Sequence, residues 1–162
     1  MKKIIVLLVI LLTYSCENNV KSNTKNTIEI TDLQKQQDVD AVKELISKSF
    51  QDVFSDLDST KVLNHYTKDF ILLENGVVWN NDSITTYIRE RQIGKNEVQR
   101  RNKFEFLKTV HNKKTIWIAY NNYAVWVREK DTLGKAHWLE SAIAIKENNI
   151  WKLEQLHSTV VR

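Results

Sequence analysis

The sequence contains no proline, only three glycines and a single cysteine among its 162 residues. Without a second cysteine the chain cannot form an internal disulfide. The scarcity of proline and glycine leaves long strands uninterrupted, and no glycine-rich phosphate-binding loop is present. The longest apolar run, from Ile4 to Leu12, falls well short of the ~20 residues that a membrane-spanning helix needs. These features favour one ordinary domain.

The charge balance gives little support for a nucleic-acid partner. The chain has 24 basic and 20 acidic residues, a net charge of +4, and Lys2 and Lys3 account for half of the excess. The densest basic cluster is interleaved with Glu90 and Glu97, which predicts a solvated face; it comprises Arg89, Arg91, Lys95, Arg100, Arg101 and Lys103. Four scattered histidines form no recognisable ligand set, so we expect neither a metal nor a cofactor.

The N-terminal stretch "MKKIIVLLVILLTYSC" has the basic start and short apolar core of a secretory leader, which predicts a signal peptide over residues 1–15. Its end, "LTYSC", resembles the lipobox of bacterial lipoproteins, with Ser15 at the small position before Cys16. The resemblance implies a lipid on Cys16 and anchoring in the bacterial cell envelope, facing the periplasm or the surface. The alternative is a soluble secreted protein with an unpaired cysteine.

The chain after Cys16 divides into two parts. Residues 16–37 are dominated by Asn, Lys, Thr and Gln without periodicity, which is typical of a flexible tether. Residues 38–162 alternate apolar and polar positions with clear periods, which predicts a folded domain.

In the first part of that domain the apolar residues have helical spacing, and in the second part apolar and polar residues alternate. The pattern predicts a helix from about Asp38 to Asp56, a second helix capped by Asp58 and a third capped by Asp82 that stops at Gly94. A short hairpin turns at "ENG", residues 74–76. Four strands then follow at about 101–110, 115–128, 136–147 and 150–161, joined by short connections that predict an antiparallel meander. Helices followed by a sheet indicate the α+β class.

Two segments resemble the SnoaL-like branch of the nuclear-transport-factor-2-like (NTF2-like) superfamily. They are "LNHYTKDFILLENG" and "HWLESAIAIKENNIWKLEQLHSTVV", the second with Trp and His in its closing strand. The resemblance implies a cone-shaped, curved antiparallel sheet packed on three N-terminal helices, with a blind pocket between them. Members of that superfamily use the pocket as isomerases, dehydratases, cyclases or hydrolases, or as binding and dimerising modules without chemistry.

The last strand carries the first candidate residues. Trp151, Leu153, Gln155, His157 and Thr159 share one face if the strand alternates regularly. Trp151 and Leu153 suggest that this face is the concave one, which would direct Gln155 and His157 into the pocket. His157 is then a candidate general base or ligand-binding imidazole. The alternative is a histidine satisfied by a neighbour at the rim.

Two further candidates come from other elements. Glu140 lies at mid-strand, where burial under helices would raise its pKa and allow it to pair with His157; it could equally face solvent or a second subunit. Tyr66 is the candidate oxyanion donor of such a site, or a core residue. Trp79, Trp126 and Trp138 are candidates for stacking on a partly apolar ligand, and such aromatics also fill cores and dimer faces.

We therefore expect an envelope lipoprotein whose domain binds a small, partly apolar molecule or acts as a homodimeric interaction module. Homodimerisation through the outer sheet face is expected because both faces of the strands carry large apolar residues. One alternative is a cofactor-independent isomerase, dehydratase or hydrolase with His157 as base, Glu140 as orienting acid and Tyr66 as oxyanion donor. The other is an accessory lipoprotein that recognises another protein, with a filled cone and an exposed apolar patch.

Overall fold

The structure is a computed structural model, and it describes residues 31–93 and 97–162. The predicted leader, Cys16, most of the predicted tether and the predicted stop at Gly94 lie outside the described residues. The helical elements, in chain order, are α1 (Asp32–Ser49), a π-helical turn (Phe50–Ser55), a 3₁₀ turn (Ser59–Lys61), α2 (Val62–His65) and α3 (Asn81–Ile93). No helix in the described part of the chain is long and apolar enough to cross a membrane.

Six strands form one sheet. They are β1 (Tyr66–Glu74), β2 (Val77–Trp79), β3 (Gln99–Asn112), β4 (Thr115–Arg128), β5 (Asp131–Glu147) and β6 (Ile150–Val160). The spatial order is β2-β1-β6-β5-β4-β3. The meander predicted for the last four strands is present, with β3 to β6 paired antiparallel in sequence order. The pairing of β1 with β6 is parallel, which the local sequence pattern does not indicate.

The turns follow the local chemistry of the sequence. Asn75 and Gly76 have φ angles of 48° and 84°, as the predicted turn between β1 and β2 requires. Asn148 and Asn149, at 48° and 66°, form the matching two-residue turn between β5 and β6. Positive φ at both central positions gives a twist that matches that of the flanking strands, so both connections favour tight hairpins.

The helix boundaries differ from the predicted ones at two points. The first helix begins at Asp32 rather than Asp38, because the Thr31 side chain caps it by accepting a hydrogen bond from the Gln34 N–H at 3.2 Å. The third helix is capped by Asn80, whose Oδ1 accepts from the Ser83 N–H at 2.9 Å. Asp58 does act as a cap, but for the 3₁₀ turn that precedes α2.

The core lies between the helices and one face of the sheet. The helices and the π-helical turn contribute fully buried apolar side chains, and the sheet contributes alternating residues of β4, β5 and β6; together these include Val42, Ile46, Phe50, Val53, Ile84, Ile88, Ile116, Ile118, Ala142, Ala144, Leu153 and Leu156. Burial of this apolar surface is the main force that holds the helices on the sheet.

A buried carboxylate fixes α1 to the sheet. Asp38 is 5% exposed, and it accepts hydrogen bonds from Lys146 Nζ at 2.7 Å and Trp151 Nε1 at 3.1 Å. The Nε2 atom of His111 lies 3.3 Å from the same carboxylate. Burial opposes ionisation of Asp38, but the hydrogen bonds outweigh it, so that its pKa lies below the ordinary value. The fold therefore surrounds this buried charge with donors.

A β-bulge divides β6 into two halves with opposite orientation. Leu153 lies opposite Ala144 and Gln155 lies opposite Ile143, so Glu154 is an extra residue without a partner on β5. The Glu154 carboxylate accepts a short hydrogen bond from Thr67 Oγ1 on β1. Before the bulge the odd-numbered side chains point to the core, and after it the even-numbered ones do.

Candidate functional site

A cavity of about 240 Å³ opens between the π-helical turn, the β1–β2 hairpin, α3 and the concave face of the sheet. Its wall is mostly aromatic, built from Phe50, Phe54, Trp79, Tyr87, Trp126 and Trp138. Five polar side chains also line it: Glu74, Arg91, Arg100, Glu140 and Ser158. The volume is below the ~300–1,000 Å³ usual for drug-sized ligands, so the cavity suits a smaller molecule.

Glu140 lies at the base of this cavity. The side chain is 4% exposed because β5 alternates, and its even-numbered residues from Glu140 to Ala144 face the helices. Both carboxylate oxygens accept from Asn122 Nδ2 at 3.2 Å, and Oε1 also accepts from Ser158 Oγ at 3.1 Å. Burial is the largest influence and raises the pKa of Glu140 to about 7, although these hydrogen bonds oppose the rise. The group can therefore hold or release a proton near neutral pH.

The neighbours of Glu140 form a buried polar network. Asn122 is fully buried and oriented by Asn102, whose Nδ2 donates to Asn122 Oδ1 at 2.6 Å. Tyr120 lies close by, and burial raises the pKa of its phenol well above the ordinary value, with the Glu140 charge adding to the effect. Its hydroxyl is buried beside the Glu140 carboxyl. Asn122 on β4 and Ser158 on β6 thus hold the Glu140 carboxyl in place.

Arg100 also lines the cavity. Its guanidinium carbon lies 5.2 Å from the ring centroid of Trp138 and 5.6 Å from that of Trp126. The rings of Phe50 and Phe54 are each 5.7 Å away. These distances are typical of cation–π contacts. Burial lowers the pKa of Arg100 from its ordinary value, but the guanidinium remains charged at every physiological pH.

The charge pattern of the sequence predicts that Arg100 belongs to a solvated basic cluster, and this prediction is wrong for that residue. The signal that could have separated it from Arg101 is the alternation along β3. Arg100 has the same parity as Phe104 and Phe106, which pack against the core, whereas Arg101 has the parity of exposed residues. A count of local charges ignores this two-residue period.

His157 and Gln155 do not reach the cavity. The bulge at Glu154 reverses the alternation, so Leu156 and Ser158 point inward and His157 is exposed on the outer face. The expectation that His157 and Gln155 share the face of Trp151 is therefore wrong. Because Glu140 and His157 lie on opposite faces, the structure does not bring them together as an acid–base pair.

Tyr66 also lies away from the cavity lining. It is 1% exposed, and its ring stacks on Phe70 with the centroids 4.1 Å apart. Burial raises the pKa of its phenol. This environment is that of a core residue, the second of the two roles that the sequence left open.

The three candidate tryptophans meet at the cavity. Trp126 and Trp138 are neighbours on β4 and β5, with ring centroids 6.2 Å apart in an edge-to-face arrangement. Trp79 extends from β2, and its ring packs edge-to-face against that of Tyr87 with the centroids 5.5 Å apart. Aromatic side chains from three strands and α3 thus form one wall.

One histidine pair and one groove lie outside the cavity. His65 Nε2 is 2.7 Å from Asp52 Oδ2, and this pair joins α2 to the π-helical turn without lining the cavity. A wider polar groove of about 710 Å³ borders Gln51, Ser55 and Glu97 and shares Arg100 with the cavity. It encloses a ligand less well than the aromatic cavity, so the cavity is the better candidate site. In the described ranges, no three His, Cys, Asp or Glu side chains are grouped to hold a metal ion.

Comparison with known proteins identifies the architecture. No protein-family model matches the sequence, and no curated protein matches it. The solved structure of an NTF2-like protein from Cytophaga hutchinsonii ATCC 33406 covers 78% of this chain and 98% of its own, with a TM-score of 0.58 at 12% identity. The chain has the NTF2-like fold.

Two other structures with this fold carry functional names. A type 2 hexachlorocyclohexane dehydrochlorinase (LinA) covers 82% of this chain and 90% of its own, with a TM-score of 0.66 at 8% identity. A ketosteroid isomerase-like protein from Erwinia carotovora atroseptica SCRI1043 covers 78% and 98%, with a TM-score of 0.58 at 13% identity. The predicted α+β class and NTF2-like architecture are confirmed. At these identities the likeness concerns the fold, and the NTF2-like fold hosts many activities.

Proposed function

We propose that the NTF2-like domain binds a small, partly apolar molecule in the cavity between its helices and its sheet. The observation that carries the proposal is an aromatic wall around a few converging polar groups, the usual composition of a small-molecule site. The cavity is open to solvent and unfilled by side chains, which is the opposite of what the accessory-protein alternative expects.

A screen for binding tests the proposal. We expect saturation-transfer NMR with a library of small aromatic and alicyclic molecules to identify binders of the wild-type protein. Trp138→Ala removes part of the cavity wall and should weaken those binders by about tenfold, since loss of one stacking side chain costs ~1–2 kcal/mol. Trp117→Ala is the matched control, because Trp117 pairs with Ile143 on the outer face. Equal effects of the two substitutions would argue against the cavity.

A second candidate function is cofactor-independent acid–base chemistry by Glu140. The observation that favours it is a carboxyl with a pKa of about 7 at the base of an apolar cavity, because a general base works best when its pKa lies near the working pH. His157 takes no part in this version. Binders that carry an acidic C–H beside a carbonyl should exchange it for deuterium in D₂O faster with wild-type protein than with Glu140→Gln. Equal exchange rates for proteins that bind equally well would contradict it.

We also propose that a lipid on Cys16 anchors the protein in the bacterial cell envelope and that the outer sheet face forms a homodimer. The lipobox resemblance supports the first part. Half-buried and exposed apolar residues on the outer face, among them Trp117 and Leu139, support the second. Labelling of cells with radioactive palmitate tests the anchor, because wild-type protein should incorporate the label and Cys16→Ser should not. Recovery of the wild-type protein in the soluble fraction without detergent would contradict the anchor.

A further inference from the structure

Arg100 forms no ion pair with any residue that the structure describes. Within the described ranges, no carboxylate oxygen lies within 4.0 Å of an Arg100 nitrogen, and the buried Nε atom has no hydrogen-bond partner. Buried charges are ordinarily paired, and the same fold surrounds its other buried charge, Asp38, with three donor side chains. Arg100 therefore departs from the way this chain treats a structural charge.

The aromatic surroundings stabilise the charge without using its donors. Four rings from the π-helical turn, β4 and β5 lie 5.2–5.7 Å from the guanidinium carbon. Aromatic faces attract a cation through their quadrupoles but accept no ordinary hydrogen bonds. The guanidinium has five N–H donors in a planar fork that matches a carboxylate. The rings hold this fork at the cavity and leave its hydrogen-bonding capacity for another group.

Two carboxyl groups and a second guanidinium line the same cavity, namely Glu74, Glu140 and Arg91. Burial raises the pKa of both carboxyls, although the Arg100 charge opposes the rise. Neither carboxyl forms an ion pair with Arg100, so its planar fork is left for a ligand.

We propose that Arg100 binds the carboxylate of a small aromatic or alicyclic carboxylic acid whose apolar body lies against Trp79, Trp126 and Trp138. The inference rests on the proposed function, because it assigns a ligand class to that same cavity. The carboxylate would accept hydrogen bonds from the terminal N–H groups of the guanidinium, in the bidentate pair that arginine favours. A carboxamide of the same shape offers these donors a single acceptor oxygen and no negative charge.

A matched pair of probes tests the ligand class. Naphthalene-2-carboxylate and naphthalene-2-carboxamide share an apolar body and differ in charge, and isothermal titration calorimetry at pH 7 measures both. We expect wild-type protein to bind the carboxylate at least tenfold more tightly than the carboxamide. Arg100→Gln should abolish this preference while it keeps the affinity for the carboxamide. Arg101→Gln is the control, because the neighbouring side chain is exposed on the other face of β3 and should keep the preference.

The outcomes separate the two proposals. If wild-type protein binds both probes equally, the carboxylate inference is overturned and the proposed function stands. If a preference for the carboxylate persists in Arg100→Gln, another cation is responsible, and the inference is again overturned. If neither probe binds while the library screen finds other binders, the carboxylate inference is overturned and the proposed function stands; if the library also gives no binder, both fail.

A second variant tests the inference in case Arg100→Gln does not fold. Should Arg100→Gln not fold, Arg100→Lys keeps the buried charge but loses the planar fork. It should then weaken binding of the carboxylate by about tenfold and leave that of the carboxamide unchanged. An unchanged carboxylate affinity in this folded variant would refute the role of the guanidinium.

Discussion

Replacement of Glu140 by glutamine should make the protein more stable at alkaline pH. The pKa of Glu140 is about 7 in the folded state against 4.5 for the ordinary side chain. The folded state therefore binds this proton more tightly than the unfolded chain does. The contribution of Glu140 to the free energy of unfolding is fully present below pH 4.5 and is lost as the pH rises to about 7.

The magnitude follows from the two pKa values. Each tenfold change in proton affinity corresponds to about 1.4 kcal/mol, so ionisation of Glu140 lowers the free energy of unfolding by about 3 kcal/mol between pH 4.5 and pH 8. The amide in Glu140→Gln does not ionise and is close to the carboxyl in size. Relative to strongly acidic pH, the variant should thus gain about 1 kcal/mol over wild-type protein at pH 5 and about 3 kcal/mol at pH 8.

Urea unfolding followed by tryptophan fluorescence measures this difference at pH 5, 6, 7 and 8. Glu90→Gln, an exposed position on α3, is the matched control and should keep the wild-type pH dependence. Asp38 does not interfere, because its lowered pKa places its titration below this range. If Glu140→Gln destabilises the protein at pH 8 as much as at pH 5, Glu140 is ionised and stabilised in the fold, and the reasoning is refuted.

Three further predictions concern packing and association. Asp38→Asn should lower the free energy of unfolding by about 3 kcal/mol at pH 7, because it leaves buried donors without their charged partner. Asp40→Asn, at an exposed position on the same helix, should cost less than about 0.5 kcal/mol. Similar losses from both substitutions in urea unfolding would contradict the role of Asp38 in fixing α1 to the sheet. Thr67→Val removes the donor to Glu154 and should cost about 1 kcal/mol in urea unfolding, and an unchanged midpoint would show that this bond is dispensable. Leu139→Lys on the outer sheet face should convert a dimer into a monomer in light scattering, and a monomeric wild-type protein would rule out the proposed dimer.

The parts of the fold that local patterns determine were predictable. Alternation of β-branched and aromatic residues, together with short turns such as "NN", indicated the four strands of the meander. The start of α1 was less visible, because residues 32–37 contain a single apolar side chain, Leu33, and so carry no apolar stripe; only Thr31 as a cap marks it. The parallel pairing of β1 with β6 joins segments far apart in sequence, so no local window contains it.

The candidate site was partly predictable. Trp79, Trp126, Trp138 and Glu140, which the sequence offers as pocket candidates beside core, solvent or dimer positions, line one cavity. The face of His157 was mispredicted because a β-bulge adds one residue without a compositional signature; no glycine marks Glu154, and every parity argument fails beyond it. The role of each of these residues in binding or chemistry stays a prediction.

The two edges of the sheet are poor templates for a further strand. One edge is β2, which spans only Val77–Trp79. The other is β3, whose exposed side chains include Arg101, Lys103 and Glu105. Short edge strands and rows of charge are devices by which proteins avoid edge-to-edge aggregation. A chain with long, uninterrupted strands is thereby protected against amyloid-like growth without a single proline.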